Sequence, residues 1–259
     1  MNQIPQPEPA PLSYFDPDDG RRLAYRLRPA NPKVSGPTLM FLPGYASDME
    51  GAKAAAIDLF AAAAGLGYLR LDYSGTGSSG GEFAEGTLDR WLEEVLAAID
   101  MLVEGPVLLI GSSMGGWLAL HAAMKRPDRV KALVGVAAAP DFTDWGFTAE
   151  QKEELRQNGR IERADAQGGP PQVTHHAFWE SGAGMRLLHK PILLDCAVRL
   201  IHGDADEDVP IGVAFKLLQD AHSADVQLNI IKWGRHRLSE PHQIETIVRT
   251  IAVLAEKLS

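Results

Sequence analysis

Ser113 lies in Gly111-Ser-Ser-Met-Gly115, a G-x-S-x-G pattern. An aliphatic run, Val107 to Ile110, leads into it, and a helical pattern with Trp117, Leu118, Leu120 and His121 follows. A sharp strand-to-helix turn in that setting lifts one serine hydroxyl clear of the sheet edge. The crowded backbone there demands small residues two before and two after the serine. Ser113 meets that demand with Gly111 and Gly115, whereas Ser112 faces Ile110 and Met114 and fails it. The helix behind also points its positive end at the serine, which favours an oxyanion. The chemistry this predicts is nucleophilic attack by Ser113.

A serine hydroxyl is a poor nucleophile at neutral pH and needs an imidazole held by a carboxylate. The order Ser…Asp/Glu…His is the one that accompanies this turn. His236, in Gly234-Arg-His-Arg-Leu-Ser-Glu-Pro241, falls between the last expected strand and the last helix, at the serine's edge, and is the expected base. His202 closes a strand before Gly203, so packing is its expected role. His121, His175, His176, His189, His222 and His242 fall on helices or in an insertion and read as packing or surface residues. The acid should follow the strand Ala197 to His202. Asp204, Asp206, Glu207 and Asp208 all qualify, and spacing alone does not choose among them. An oxyanion needs two backbone N–H groups. Met114, next to the nucleophile, and Tyr45, in the loop after the strand Thr38 to Leu42, are the expected donors.

Two further patterns bear on cofactors and metals. Gly75-Thr-Gly-Ser-Ser-Gly80 matches G-x-G-x-x-G after a strand. No helix opens directly behind it, as a dinucleotide site requires, so a tight surface loop is expected. Asp204-x-Asp206-x-Asp208 resembles the start of a calcium loop, but Val209 takes the place of the required glycine and Phe215 that of the last acid. Neither cofactor nor metal is expected.

The chain of 259 residues carries 25 basic and 34 acidic side chains, a net charge of −9. That balance argues against nucleic acid or an anionic membrane as the main partner. Cys196 is the sole cysteine, which excludes an internal disulfide and predicts a buried thiol. No stretch approaches the ~20 apolar residues that span a membrane. The Pro-rich first 12 residues have neither a basic nor an apolar signal region, so a cytoplasmic location is expected. Leu12 to Phe15 and Arg22 to Arg28 flank hairpin chemistry at Asp16-Pro-Asp-Asp-Gly20. From Thr38 to Pro140 strands and helices alternate: a helix over Gly51 to Ala64, a strand over Gly67 to Tyr73, a helix capped by Thr87, and a strand over Val130 to Ala139. That alternation predicts a mostly parallel sheet covered on both faces. It breaks over 141–195, too long for a bare loop. Thr148-Ala-Glu-Gln151 is a capping-box pattern, and a second helix is expected after Thr174, so a helical lid is predicted there. The sheet then resumes, with helices over Val209 to His222 and Pro241 to Ser259.

With those residues in place, the chain resembles the α/β-hydrolase superfamily. Within it the likeness is to the group of mitochondrial palmitoyl-protein thioesterases, also known as acyl-glucuronide esterases. The likeness rests on Gly44-Tyr45 with Met49, Gly51, Lys53 and Ala54; Asp72-Tyr-Ser-Gly-Thr-Gly-Ser-Ser79; Thr87-Leu88 with Trp91; Gly111 through Ala123; and Arg199-Leu-Ile-His-Gly203. The lid matches poorly. The resemblance implies Ser113 as nucleophile, Asp206 as acid and His236 as base. The resulting expectation is one α/β-hydrolase domain over 13–259 that cleaves carboxylic esters or thioesters through an acyl-serine, with an apolar acyl group preferred. The alternatives are a broad small-acyl carboxylesterase and a non-catalytic ligand-binding module on the same fold.

Overall fold

The computed structural model of the chain describes residues 8–17, 20–163 and 171–259. The hairpin tip at 18–19, most of the Pro-rich lead-in and part of the polar stretch at 164–170 lie outside them. The chain opens with β1 (Leu12–Phe15), β2 (Leu23–Arg28) and β3 (Thr38–Leu42), followed by α1 (Ala52–Ala64) and β4 (Tyr68–Leu71). Next come α2 (Leu88–Leu102), β5 (Val107–Ser112), α3 (Met114–Lys125) and β6 (Val130–Val136). The insertion holds α4 (Phe142–Trp145), α5 (Ala149–Asn158), β7 (Arg160–Arg163), β8 (Gln172–His175) and α6 (His176–Gly184). After it run β9 (Ile192–Leu193), β10 (Ala197–Gly203), α7 (Ile211–Asp220), β11 (Ala221–His222), β12 (Val226–Ile231) and α8 (Pro241–Lys257). Among the described residues, eight strands form one sheet in the order β1-β2-β4-β3-β5-β6-β10-β12. β1 and β2 pair antiparallel, as do β2 and β4, and every later pair is parallel.

Side chains alternate across a strand, so each strand feeds two cores. Met40, Leu42 and Leu109 pack with α2 and α3, whose Trp91, Val95, Trp117 and Leu118 are buried there. Leu39, Phe41, Leu108 and Ile110 pack with Ile57 of α1 and Ile247, Ile251 and Leu254 of α8. The helix ends follow local chemistry. Thr87 accepts from Arg90 N–H to start α2, and Thr148 with Gln151 forms the capping box of α5. Gly65 and Gly159 close α1 and α5 in the left-handed conformation. Some boundaries differ from expectation. β6 stops at Val136, because Ala137 turns to a φ of 46°. α7 starts only after Pro210, and 221–222 pass into β11, which pairs with β9. The lid is not wholly helical either: β7 and β8 form an antiparallel hairpin in which Ile161 pairs with Thr174, and both are buried.

Candidate active site

Ser113 sits between β5 and α3 with φ 55° and ψ −118°, a strained backbone for a residue with a side chain. Its neighbours show why. A Cβ on Gly111 would lie 2.3 Å from the Gly115 carbonyl oxygen, and one on Gly115 would lie 2.1 Å from that of Leu42. The turn is locked by Ser113 N–H donating to Val136 O (2.9 Å) and by Ala139 N–H donating to Ser113 O (3.0 Å). Ser112 is the buried last residue of β5.

The Ser113 Oγ lies 3.1 Å from His236 Nε2, and His236 Nδ1 lies 2.9 Å from Asp206 Oδ2. The carboxylate can only accept, which assigns the imidazole proton to Nδ1 and leaves Nε2 bare toward the serine. Asp206 is fully buried at its carboxylate. Its Oδ1 accepts from Val209 N–H (2.8 Å) and Asp208 N–H (3.0 Å). Burial alone would raise its pKa. The bond and charge of His236, with the Val209 N–H and the nearby His202, outweigh that and hold it below the usual carboxylate value. The other acids are placed elsewhere. Asp204 accepts from Lys232 Nζ and Trp233 N–H, and Glu207 and Asp208 are exposed. His202 is buried, with Nε2 2.9 Å from Val209 O, and so packs the acid loop. His121 Nε2 lies 2.8 Å from Met185 O, beside the Trp117 indole N–H, which donates to the same carbonyl.

Gly44 abuts the serine: a Cβ there would lie 3.3 Å from Ser113 Cβ. That brings the backbone of the next residue, Tyr45, toward Ser113. Met114 opens α3, so no helical carbonyl lies one turn back for its N–H. Neither N–H has a hydrogen-bond partner among the described residues. The Tyr45 side chain turns upward, its hydroxyl donating to Val173 O of β8 at 2.9 Å. Its ring meets Phe178 (centroids 4.4 Å apart), Phe83 (5.3 Å), Phe142 (6.0 Å) and Trp91 (6.1 Å). The lid aromatics thus divide. Phe142 and Phe178 face Tyr45, whereas Phe147 packs with Leu155 and Ile161 in a core of the lid's own. Trp145 anchors on Pro140 O and Trp179 on Thr143 O. The Gly75 to Gly80 loop wraps Asp72, whose carboxylate accepts from Met49 N–H and Ser78 N–H, both at 2.8 Å. A Cβ on Gly77 would strike that carboxylate at 2.1 Å. The loop thus braces the Tyr45 segment and opens no helix. Among the described residues, the His, Cys, Asp and Glu side chains close enough to share an ion are Asp206, Asp208 and His236. An ion there would compete for the two groups that already bond each other.

The alpha/beta hydrolase family model matches residues 39–244. The chain belongs to the alpha/beta hydrolase family. This hydrolase is 39% identical over 253 residues to the mitochondrial palmitoyl-protein thioesterase ABHD10 of Homo sapiens, a match covering 96% of this chain and 81% of the relative. Among solved structures it is similar to alpha/beta hydrolase domain-containing protein 10 from mouse, with a TM-score of 0.88, 36% identity and coverage of 96% and 100%. A protein from Agrobacterium vitis S4 matches with a TM-score of 0.87, 36% identity and coverage of 95% and 99%. The mammalian relatives are mitochondrial by name, unlike the cytoplasmic location expected from this hydrolase's sequence. No helix among its described residues is long and apolar enough to cross a membrane.

Proposed function

We propose that the protein is a serine hydrolase of carboxylic esters and thioesters, acting as one domain over 13–259. The observation that carries this reading is the continuous line Ser113 Oγ–His236 Nε2, His236 Nδ1–Asp206 Oδ2, at 3.1 and 2.9 Å. His236 takes the serine proton as Oγ attacks the acyl carbon. The carbonyl oxygen gains its charge between the N–H groups of Met114 and Tyr45. As the tetrahedral intermediate collapses, His236 returns the proton to the leaving alcohol or thiol, and acyl-Ser113 remains. Water, activated by the same imidazole, then releases the acid. Asp206 holds the imidazole in the tautomer this needs and balances its charge once protonated. No step calls for a cofactor or a metal.

The rings of Phe142 and Phe178 cluster on Tyr45, whose neighbour Gly44 abuts Ser113, and this favours an apolar acyl group; the thioesterase name of the human relative favours thioesters among the substrates. The substrate is a small-molecule ester or acyl thioester, and no nucleic-acid partner is implied by a net charge of −9. A fluorophosphonate probe tests the reading: it should label the native chain at Ser113 and leave Ser113→Ala unlabelled. An unlabelled native chain would favour the ligand-binding module instead.

A further inference from the structure

Lys53 breaks three local rules at once. It is the second residue of α1, where the positive end of the helix disfavours a cation. It is half-buried, yet no carboxylate pairs with it among the described residues. The one charged group that bears on it, the Arg237 guanidinium, repels it. Burial, and then Arg237, pull its ammonium down to about 8. What it has in exchange is one bond: Nζ donates to the backbone carbonyl of Arg237 at 2.6 Å, across 184 positions of sequence. Arg237 directly follows His236. The loop carrying these residues is strained at both ends, since Trp233 and Leu238, neither a glycine, sit at φ 58° and 42°. Such a loop persists only if outside contacts hold it. Ala205 N–H grips Gly234 O at 3.0 Å, Asp204 holds Trp233 N–H, and the Leu238 side chain is buried against the α1 and α8 face. Between Gly234 and Leu238, the stretch that bears the imidazole, the outside hydrogen bond to the main chain among the described residues comes from Lys53.

We propose that Lys53 is a positioning residue: through the Arg237 carbonyl it fixes the loop that aims His236 at Ser113 and Asp206, and it ties that loop to the helix following the Tyr45 segment. The proposal rests on reading Ser113 as nucleophile and His236 as base. A half-buried cation without a carboxylate to pair with adds little to stability, but a donor that aligns a base within fractions of an ångström repays itself in rate.

The test uses Lys53→Met, which keeps the stem and loses the donor, and Lys53→Arg, which keeps a donor. For each we would measure kcat and KM on a p-nitrophenyl ester, the rate of fluorophosphonate labelling, and Tm. Lys53→Met should lower kcat and the labelling rate together by roughly ten- to a hundredfold, as a misaimed base does, with KM within about twofold. Its Tm should not fall, and Lys53→Arg should recover most of the rate. Wild-type kcat and labelling in Lys53→Met overturn the proposal. So does a loss that comes with a lower Tm in both variants, which marks a structural lysine. Failure of the underlying reading looks different: the native chain itself would label no faster than Ser113→Ala.

Discussion

Asp206→Asn is the sharpest probe of the site, because the structure dictates which way the new amide must face. Oδ1 of Asp206 accepts two backbone N–H groups, from Val209 at 2.8 Å and Asp208 at 3.0 Å. Only the amide oxygen can replace it there, so the amide NH2 must take the place of Oδ2, 2.9 Å from His236 Nδ1. Nδ1 then becomes the acceptor and the imidazole proton moves to Nε2, where it points at Ser113 Oγ and blocks proton uptake. The charge is lost as well. Two unit charges 2.9 Å apart attract by about 6 kcal/mol at an effective dielectric of about 20, which is the support the imidazolium loses. At 1.36 kcal/mol per tenfold, kcat should fall by roughly four powers of ten. The same exchange in a Ser-His-Asp protease costs about that much. The assay is steady-state hydrolysis of a p-nitrophenyl ester, with circular dichroism to show that the variant is folded. A folded Asp206→Asn within tenfold of wild type would falsify the assignment of the acid, and a dead Asp208→Asn beside it would show which carboxylate replaces it.

Ser113→Ala should lose several orders of magnitude in kcat while Ser112→Ala stays active; turnover surviving in purified Ser113→Ala would move the nucleophile elsewhere. On a single leaving group, kcat/KM should climb about fourfold per added methylene from acetyl to medium-chain acyl esters, at about 0.8 kcal/mol each, and matching thioesters should be cleaved. A steady fall from acetyl would leave the small-acyl carboxylesterase. Lys53 has a lowered folded-state pKa of about 8 against about 10.4 unfolded, so the native state binds fewer protons between those values and gains stability as pH rises through them. The Lys53→Met variant should therefore be most favoured over wild type below pH 8, and denaturant titrations should show that gap closing by about pH 10.4; a gap constant with pH contradicts the burial argument. Burial pushes the Cys196 thiol up to about 11, so iodoacetamide at pH 7.5 should alkylate it only after unfolding.

Much of the fold was legible because its signals are local. The periodic apolar face starting at Leu88 becomes α2 with Thr87 as its cap, and Thr38 to Leu42 is β3 without change. Errors cluster where local signals compete with contacts made far away in sequence. Val130 to Ala139 is apolar apart from Lys131, but Ala137 N–H is drawn to Ile201 O and Ala139 N–H to Ser113 O, which bends the chain off β6. The β7–β8 hairpin carries only four residues a side, too few for alternation to stand out from a helical lid. Its one signal was the apolar Ile161 set among charged neighbours.

The site divides in the same way. Ser113 is found from five residues, because the crowding that demands Gly111 and Gly115 comes from the turn itself. The acid is another matter. Four carboxylates within five positions look alike along the chain, and what distinguishes Asp206 is its surroundings in space. Two backbone N–H groups of its own loop hold one oxygen, and an imidazole 30 positions later takes the other. Residue types carry no trace of that, and only the resemblance to a family singled it out. Lys53 is harder still. In the sequence it is one matching residue among several, without a role, because its partner is a carbonyl, a group every residue has, 184 positions away. Chemistry done by side chains close in sequence announces itself by type and spacing. Chemistry that depends on main-chain atoms of a remote loop becomes visible only when a residue breaks the rules for its place, as a half-buried lysine with no carboxylate partner among the described residues does at the start of a helix.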